Sequence, residues 1–218
     1  MKDAGIHEAV AILVQAVKQW RTPAVTIVSQ REGDPFKVLI SCILSLRTQD
    51  KTTGAASERL FALADTPERM ARLGPETIAV AIYPVGFYRN KSAQIVDICR
   101  ELLERHGGRV PDEIDELLRF KGVGRKTANL VVTLGFGKPG ICVDTHVHRI
   151  CNRWGYVRTK RPEETEFALR AKLPGEYWLT INDLLVTFGQ NQCLPVSPRC
   201  SSCPVAHLCE RVGVAKSR

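Results

Sequence analysis

Apolar residues in this 218-residue chain recur at three- and four-residue intervals almost from end to end, and no stretch alternates apolar with polar long enough for a half-buried strand. That pattern points to an all-α fold of roughly ten helices joined by short loops. Asp65 or Thr66, followed by Pro67, has the chemistry of a helix start; Pro75 and Pro162 mark two more. Ile95, Ile98, Cys99, Leu102 and Leu103 form one apolar stripe, ended by Gly107 and Gly108. The run DPFKVLISCILSL is apolar nearly all round and predicts a buried central helix. GICVDTHV is the one run that could pass for a strand, but its context is helical. The terminal VAKSR is expected to fray.

Composition narrows the class of function. Apolar residues make up 44% of the chain, which is enough for a packed core, and the formal net charge of +8 favours an anionic partner such as nucleic acid. No apolar run reaches the ~20 residues of a membrane span. Asp3 and Glu8 stand where a secretory leader would carry a basic region. The expected compartment is therefore the reducing cytoplasm, where eight cysteines do not read as four disulfides. Cys42, Cys99, Cys142 and Cys151 lie scattered among apolar neighbours and read as small core residues. Cys193, Cys200, Cys203 and Cys209 are crowded together, separated by six, two and five residues. Four thiolates this close can surround one metal centre, and by spacing alone a zinc ion and a [4Fe–4S] cluster are equal readings.

The stretch FKGVGRKTANLVV, residues 120–132, is the chain's most unusual. A short amphipathic helix with Ile114, Leu117 and Leu118 inward precedes it, and a second helix begins at its end. Gly122 and Gly124 permit a tight turn, Val123 is expected to pin it by burial, and Lys121 and Arg125 add charge. The amides at the start of the second helix lack helical partners and suit a phosphate oxygen. A P-loop is excluded: Arg125 separates Gly124 from Lys126, and Arg119 stands where that motif needs glycine. A glycine-rich connector with solvated bases remains open on these residues alone.

Eighteen residues beyond Lys126 comes Asp144, in VDTHVHRICNR. Glycine hairpin, lysine, then Val-Asp-Thr-His resembles the endonuclease III family of helix-hairpin-helix DNA glycosylases. The family pattern Leu-Pro-Gly-Val-Gly-Arg-Lys-Thr-Ala is matched except that Phe120 and Lys121 replace Leu-Pro. The four-cysteine spacing is likewise the family's iron–sulfur signature, so the resemblance implies a [4Fe–4S] cluster on Cys193, Cys200, Cys203 and Cys209. That cluster with four thiolates would carry −2 and lower the net charge to about +6.

The resemblance, which runs from about Val10 to Cys209, implies more. The fold would have two lobes with a DNA groove between them: a helical barrel over residues 28–138, and an iron–sulfur domain made of residues 1–27 and 139–218. The activity would be that of a bifunctional DNA glycosylase and AP lyase in base-excision repair, acting on oxidised or ring-reduced pyrimidines in double-stranded DNA. The chain would act as a monomer, cytoplasmic and associated with the nucleoid through DNA. Lys126 would attack the sugar C1′ of a flipped nucleotide as a neutral amine, a form favoured by Arg125 and the helix N-terminus, and Asp144 would stabilise developing positive charge. Arg47 stands where the family keeps glutamine and would fill the gap left by the flipped base; a surface base on phosphate is the competing role. Phe87 would be a second, apolar wedge, or else ordinary core. Gln49, Arg89, Lys91 and Arg199 would contact DNA. Asp50 and His146 are possible pocket residues, and His146 could instead serve only its helix. Two other functions fit a hairpin with a cluster: a monofunctional glycosylase in which Asp144 activates water, and a damaged-DNA-binding module without catalysis. Lys126 together with Asp144 speaks against the last, since a binder has no need of that pair.

Overall fold

The computed structural model describes residues 1–20 and 24–218, the segment 29–32 through its backbone alone. Eleven α-helices and no strand are found among the described residues. The helices are α1 (Gly5–Ala16), α2 (Ala24–Glu32), α3 (Pro35–Ser45), α4 (Asp50–Leu63), α5 (Pro67–Ile82), α6 (Tyr88–His106), α7 (Ile114–Leu117), α8 (Arg125–Leu130), α9 (Thr145–Arg153), α10 (Pro162–Lys172) and α11 (Ile181–Asn191).

Helix starts follow their local chemistry. Asp34 caps α3 by accepting from the Phe36 amide at 2.8 Å, and Thr66, not Asp65, caps α5 by accepting from the Arg69 amide at 3.3 Å. Within α5, Gly74 leaves the helical region (φ 74°), so Pro75 opens a second helical piece. α6 ends on Gly107 in the left-handed conformation. GICVDTHV forms no strand; residues 140–144 lead into α9, and Thr145, His146 and Val147 are its first residues. The hairpin's first helix, α7, is a single turn of which Leu117 is fully buried while Ile114 and Leu118 are half-buried. The second, α8, widens into a π-helical turn over Val131–Gly135.

The chain divides into two compact units, Ala24–Gly140 and the discontinuous pair Met1–Pro23 with Ile141–Arg218. The first is built on α3, whose Val38, Leu39, Ile40, Ile43 and Leu44 have no exposed surface. The core of the second joins Ile6, Ala9 and Leu13 of α1 to Val147, Ile150, Trp154, Leu185 and Phe188. Each buried Val, Leu, Ile or Phe among them contributes about 1.5–3 kcal/mol by burial. Cys42, Cys99, Cys142 and Cys151 are all buried. Burial pushes the Cys99 and Cys151 thiols up to about 12, which leaves them unreactive. The C-terminal tail, expected to fray, is tied back instead: the Arg218 amide donates to Pro198 O at 2.8 Å, and Arg218 O accepts from the Ser201 amide at 2.9 Å.

Candidate active site

In the hairpin, Gly122 takes φ 79°, and a β-carbon there would meet Gln94 Nε2 at 2.5 Å. Gln94 Nε2 itself donates to Lys121 O at 3.0 Å, tying the turn to α6. Val123 is buried as expected, but its amide is used inside the turn, donating to Phe120 O at 3.0 Å. Val123 therefore anchors the hairpin and does not offer its N–H to a phosphate. Gly124 is the N-cap of α8 and brings no capping side chain to the first-turn amides. Lys121 and Gly124 are exposed; Arg125 and Lys126, the first two residues of α8, are half-buried.

Asp144 lies in the other unit, 8% exposed, as the N-cap of α9. Its Oδ1 accepts from the His146 amide at 2.7 Å and the Val147 amide at 3.0 Å. The cap fixes the carboxylate at the positive end of the helix dipole. One turn on, Arg149 Nη2 lies 3.0 Å from His146 Nδ1 and donates to Cys193 O at 2.7 Å and Gly189 O at 3.2 Å. Arg153 donates to Cys193 Sγ at 3.4 Å, Leu194 O at 2.7 Å and Pro195 O at 2.7 Å. The helix that presents Asp144 thus also grips the loop of the first crowded cysteine, an arrangement with no local signal in the sequence.

Cys193, Cys200, Cys203 and Cys209 border one cavity, together with Arg153 and Arg199. Burial, then the other thiolates, pushes Cys203 up to about 11, and burial with the same repulsion raises Cys209. Thiols raised in this way become stable as thiolates only with a cationic centre beside them. Donors already address three of the sulfurs: Arg153 on Cys193, the Val205 amide on Cys203, and the Arg211 amide on Cys209 at 3.4 Å. Among the described residues no three His, Cys, Asp or Glu side chains are arranged to hold a single metal ion. The four cysteines line a shared space, where a cluster would take one thiolate to each iron.

The matching family models cover both regions. Residues 40–174 match the HhH-GPD superfamily base excision DNA repair protein, and residues 193–209 the iron-sulfur binding domain of endonuclease III. Endonuclease III of Thermotoga maritima is 50% identical over 182 residues, 84% of this chain and 85% of that protein. The chain belongs to the endonuclease III family. It is accordingly a base-excision-repair DNA glycosylase with AP lyase activity, and its cofactor is a [4Fe–4S] cluster. Two solved structures share its all-helical fold. "Structure of a non-covalent Endonuclease III-DNA Complex" is 33% identical, with TM-score 0.86, over 97% of this chain and 96% of that one. "Structure of a Trapped Endonuclease III-DNA Covalent Intermediate: Estranged-Adenine Complex" is 32% identical, with TM-score 0.84, over 97% of each.

The remaining expected DNA residues divide sharply. Arg47, Gln49, Arg89, Lys121 and Arg199 are exposed, and Asp50, the first residue of α4, is half-buried. Phe87 is 59% exposed and so is not core. Its ring lies 5.6 Å from the Arg47 guanidinium carbon, and both residues are left-handed, with φ 58° and 52°. Lys91 is a correction. It is 5% exposed, and its amine donates to Leu44 O, Leu46 O and Thr48 Oγ1 at 2.9, 2.5 and 3.2 Å. Directed into the protein in this way, it cannot serve as a phosphate contact.

Proposed function

We propose that this protein, acting as a monomer, removes oxidised or ring-reduced pyrimidines from double-stranded DNA through a covalent intermediate on Lys126, and then cuts the strand 3′ of the abasic site. The carrying observation is the likeness, over 97% of the chain, to an endonuclease III–DNA covalent intermediate. A covalent intermediate needs a protein nucleophile, and Lys126 brings an amine one residue inside α8, next to the glycine turn.

The chemistry follows from the residue types. The damaged nucleotide must leave the stack before any side chain can reach its sugar. The Lys126 nitrogen forms a bond to C1′ as the bond from C1′ to the base breaks, and the base departs with a proton. The C1′–O4′ bond of this adduct then opens, the nitrogen's electron pair forming the C1′=N bond of a Schiff base while O4′ takes a proton; the Schiff base acidifies the C2′ proton, and its removal breaks the C3′–O bond and releases the 3′ strand with its phosphate. Asp144, held by two amides, supplies fixed negative charge for the cationic sugar. The Gly122–Gly124 turn and the first turn of α8 hold a phosphate of the same strand, with Lys121, Arg89 and Arg199 as further phosphate contacts. Arg47 and Phe87 fill the space left in the duplex, Gln49 contacts DNA beside them, and Asp50 and His146 belong to the pocket. Cys193, Cys200, Cys203 and Cys209 hold the cluster, which organises the loop that carries Arg199.

Borohydride trapping tests this reading. Wild-type protein mixed with a duplex containing thymine glycol or an abasic site should give a covalent adduct on reduction, and Lys126→Ala should give none. An active wild-type enzyme that forms no adduct would overturn the role of Lys126 and leave water activated by Asp144 as the mechanism.

A further inference from the structure

Arg47 and Phe87 sit on separate loops forty residues apart in sequence, yet within the Ala24–Gly140 unit the two loops are built as one piece. Gly86 approaches the first loop so closely that a β-carbon there would lie 2.5 Å from Arg47 O. Its amide donates to Thr48 Oγ1 at 3.1 Å. The Thr48 hydroxyl gives its own proton to Leu46 O at 3.2 Å and accepts again from Lys91 Nζ at 3.2 Å. Both of its lone pairs and its one proton are therefore used. Lys91 places its other two protons on Leu44 O and Leu46 O, carbonyls at the C-terminal end of α3, where helical partners run out and positive charge is favoured.

Three N–H donors meeting three acceptors is a saturated arrangement for a lysine. Burial lowers Lys91 to about 8, so at neutral pH it is still mostly the ammonium that this geometry needs. The two residues it brackets, Arg47 and Phe87, both hold a backbone conformation that side chains rarely adopt, and both are exposed. Such conformations persist where the surroundings over-determine them.

We propose that Lys91 is a positioning residue whose buried ammonium, acting through Leu46, Thr48 and Gly86, locks the Arg47 and Phe87 loops into one preformed wedge for the DNA duplex. The proposal rests on the reading that Arg47 and Phe87 enter the duplex. The consequence is preorganisation: two side chains from two loops meet the base stack in one geometry, and neither loop has to be ordered on binding.

The test uses Lys91→Met in the full-length, cluster-loaded protein and follows base flipping with 2-aminopurine opposite thymine glycol in a duplex. Lys91→Met should slow the fluorescence rise and single-turnover excision by about 100-fold, the scale set by small misplacements of an aligned group. Cleavage of a single-stranded abasic oligonucleotide, which has no stack to open, should stay at the wild-type rate. A folded Lys91→Met protein that flips at the wild-type rate overturns the proposal. So does equal loss on both substrates, since that marks a general structural defect. If Lys91→Met does not fold, Thr48→Val cuts the link to Gly86 while leaving both carbonyl bonds of Lys91. It should slow flipping about tenfold, and no slowing refutes the lock. Arg47→Ala and Phe87→Ala separate this proposal from the reading beneath it. If they leave flipping untouched, the wedge itself is wrong and the lock falls with it. If they slow flipping while Lys91→Met does not, the wedge stands and the lock alone is refuted.

Discussion

Asp144 has two tasks that substitution can separate. As the N-cap of α9 it satisfies the amides of His146 and Val147, and as a carboxylate it supplies charge. Asparagine keeps an acceptor oxygen for the same amides, whereas alanine does not. Asp144→Ala should therefore cost about 1 kcal/mol of stability and Asp144→Asn much less. Both should lower base excision by about 10²- to 10⁴-fold. Denaturant unfolding and single-turnover excision check this pair, and an Asp144→Asn enzyme with wild-type excision would end the electrostatic role. The lysines show what was legible at this scale. Lys126 was readable because its neighbours form a local motif. The resemblance implies a DNA contact at Lys91, although its spacing to Ile95, Ile98 and Leu102 puts it on the buried face of α6. A charged residue on an apolar stripe is the signal that could have found it; its carbonyl and hydroxyl partners, 43 to 47 residues away, could not be read from sequence.

Among elements, helices were legible because capping and apolar spacing are local, whereas the distances at which helices pack are not. The π-helical turn after α8 is one example, since nothing in TANLVVTLGFG announces a change of winding. The pairing of α9 with α11 is another. Gly189 lies so near α9 that a β-carbon would stand 2.4 Å from His146 Nδ1 and 2.9 Å from Arg149 Nη2. Gly189→Ala should destabilise the protein by about 1–3 kcal/mol through overpacking. Because the nearest obstacle is the His146 ring, the same change made in a His146→Ala background should cost measurably less. A double-mutant cycle by denaturant unfolding measures that coupling. Strictly additive costs would mean that the obstruction lies elsewhere than at His146.

For the whole molecule, charge and architecture make separate demands. A net charge of +8 spread over exposed bases predicts DNA affinity that falls steeply with salt. Neutralising Arg89, Lys121 or Arg199 should each shrink the slope of log affinity against log salt by about 0.9. Lys91→Met should leave that slope unchanged, because its amine is directed into carbonyls. Equal slopes in all four variants would remove the exposed bases from the interface. Architecture gives the other prediction. The cysteine loop packs on the core of the discontinuous unit, where Cys193, Cys203 and Cys209 lie against a cluster that includes Trp154, Phe188 and Val205. The Ala24–Gly140 unit has its own buried centre in α3 and contains none of the four cysteines. Loss of the cluster should therefore act unevenly. Cys203→Ala should lower iron and acid-labile sulfide and raise hydrogen exchange in α1, α9 and α11, while α3 and α6 keep their protection. Stability distributed over cooperative units behaves in this way, each unit opening with the contacts that hold it. Uniform loss of protection across both units would mean that the two fold as one cooperative body, and intact protection in α9 would mean that Arg149 and Arg153 hold the Cys193 loop without help from iron.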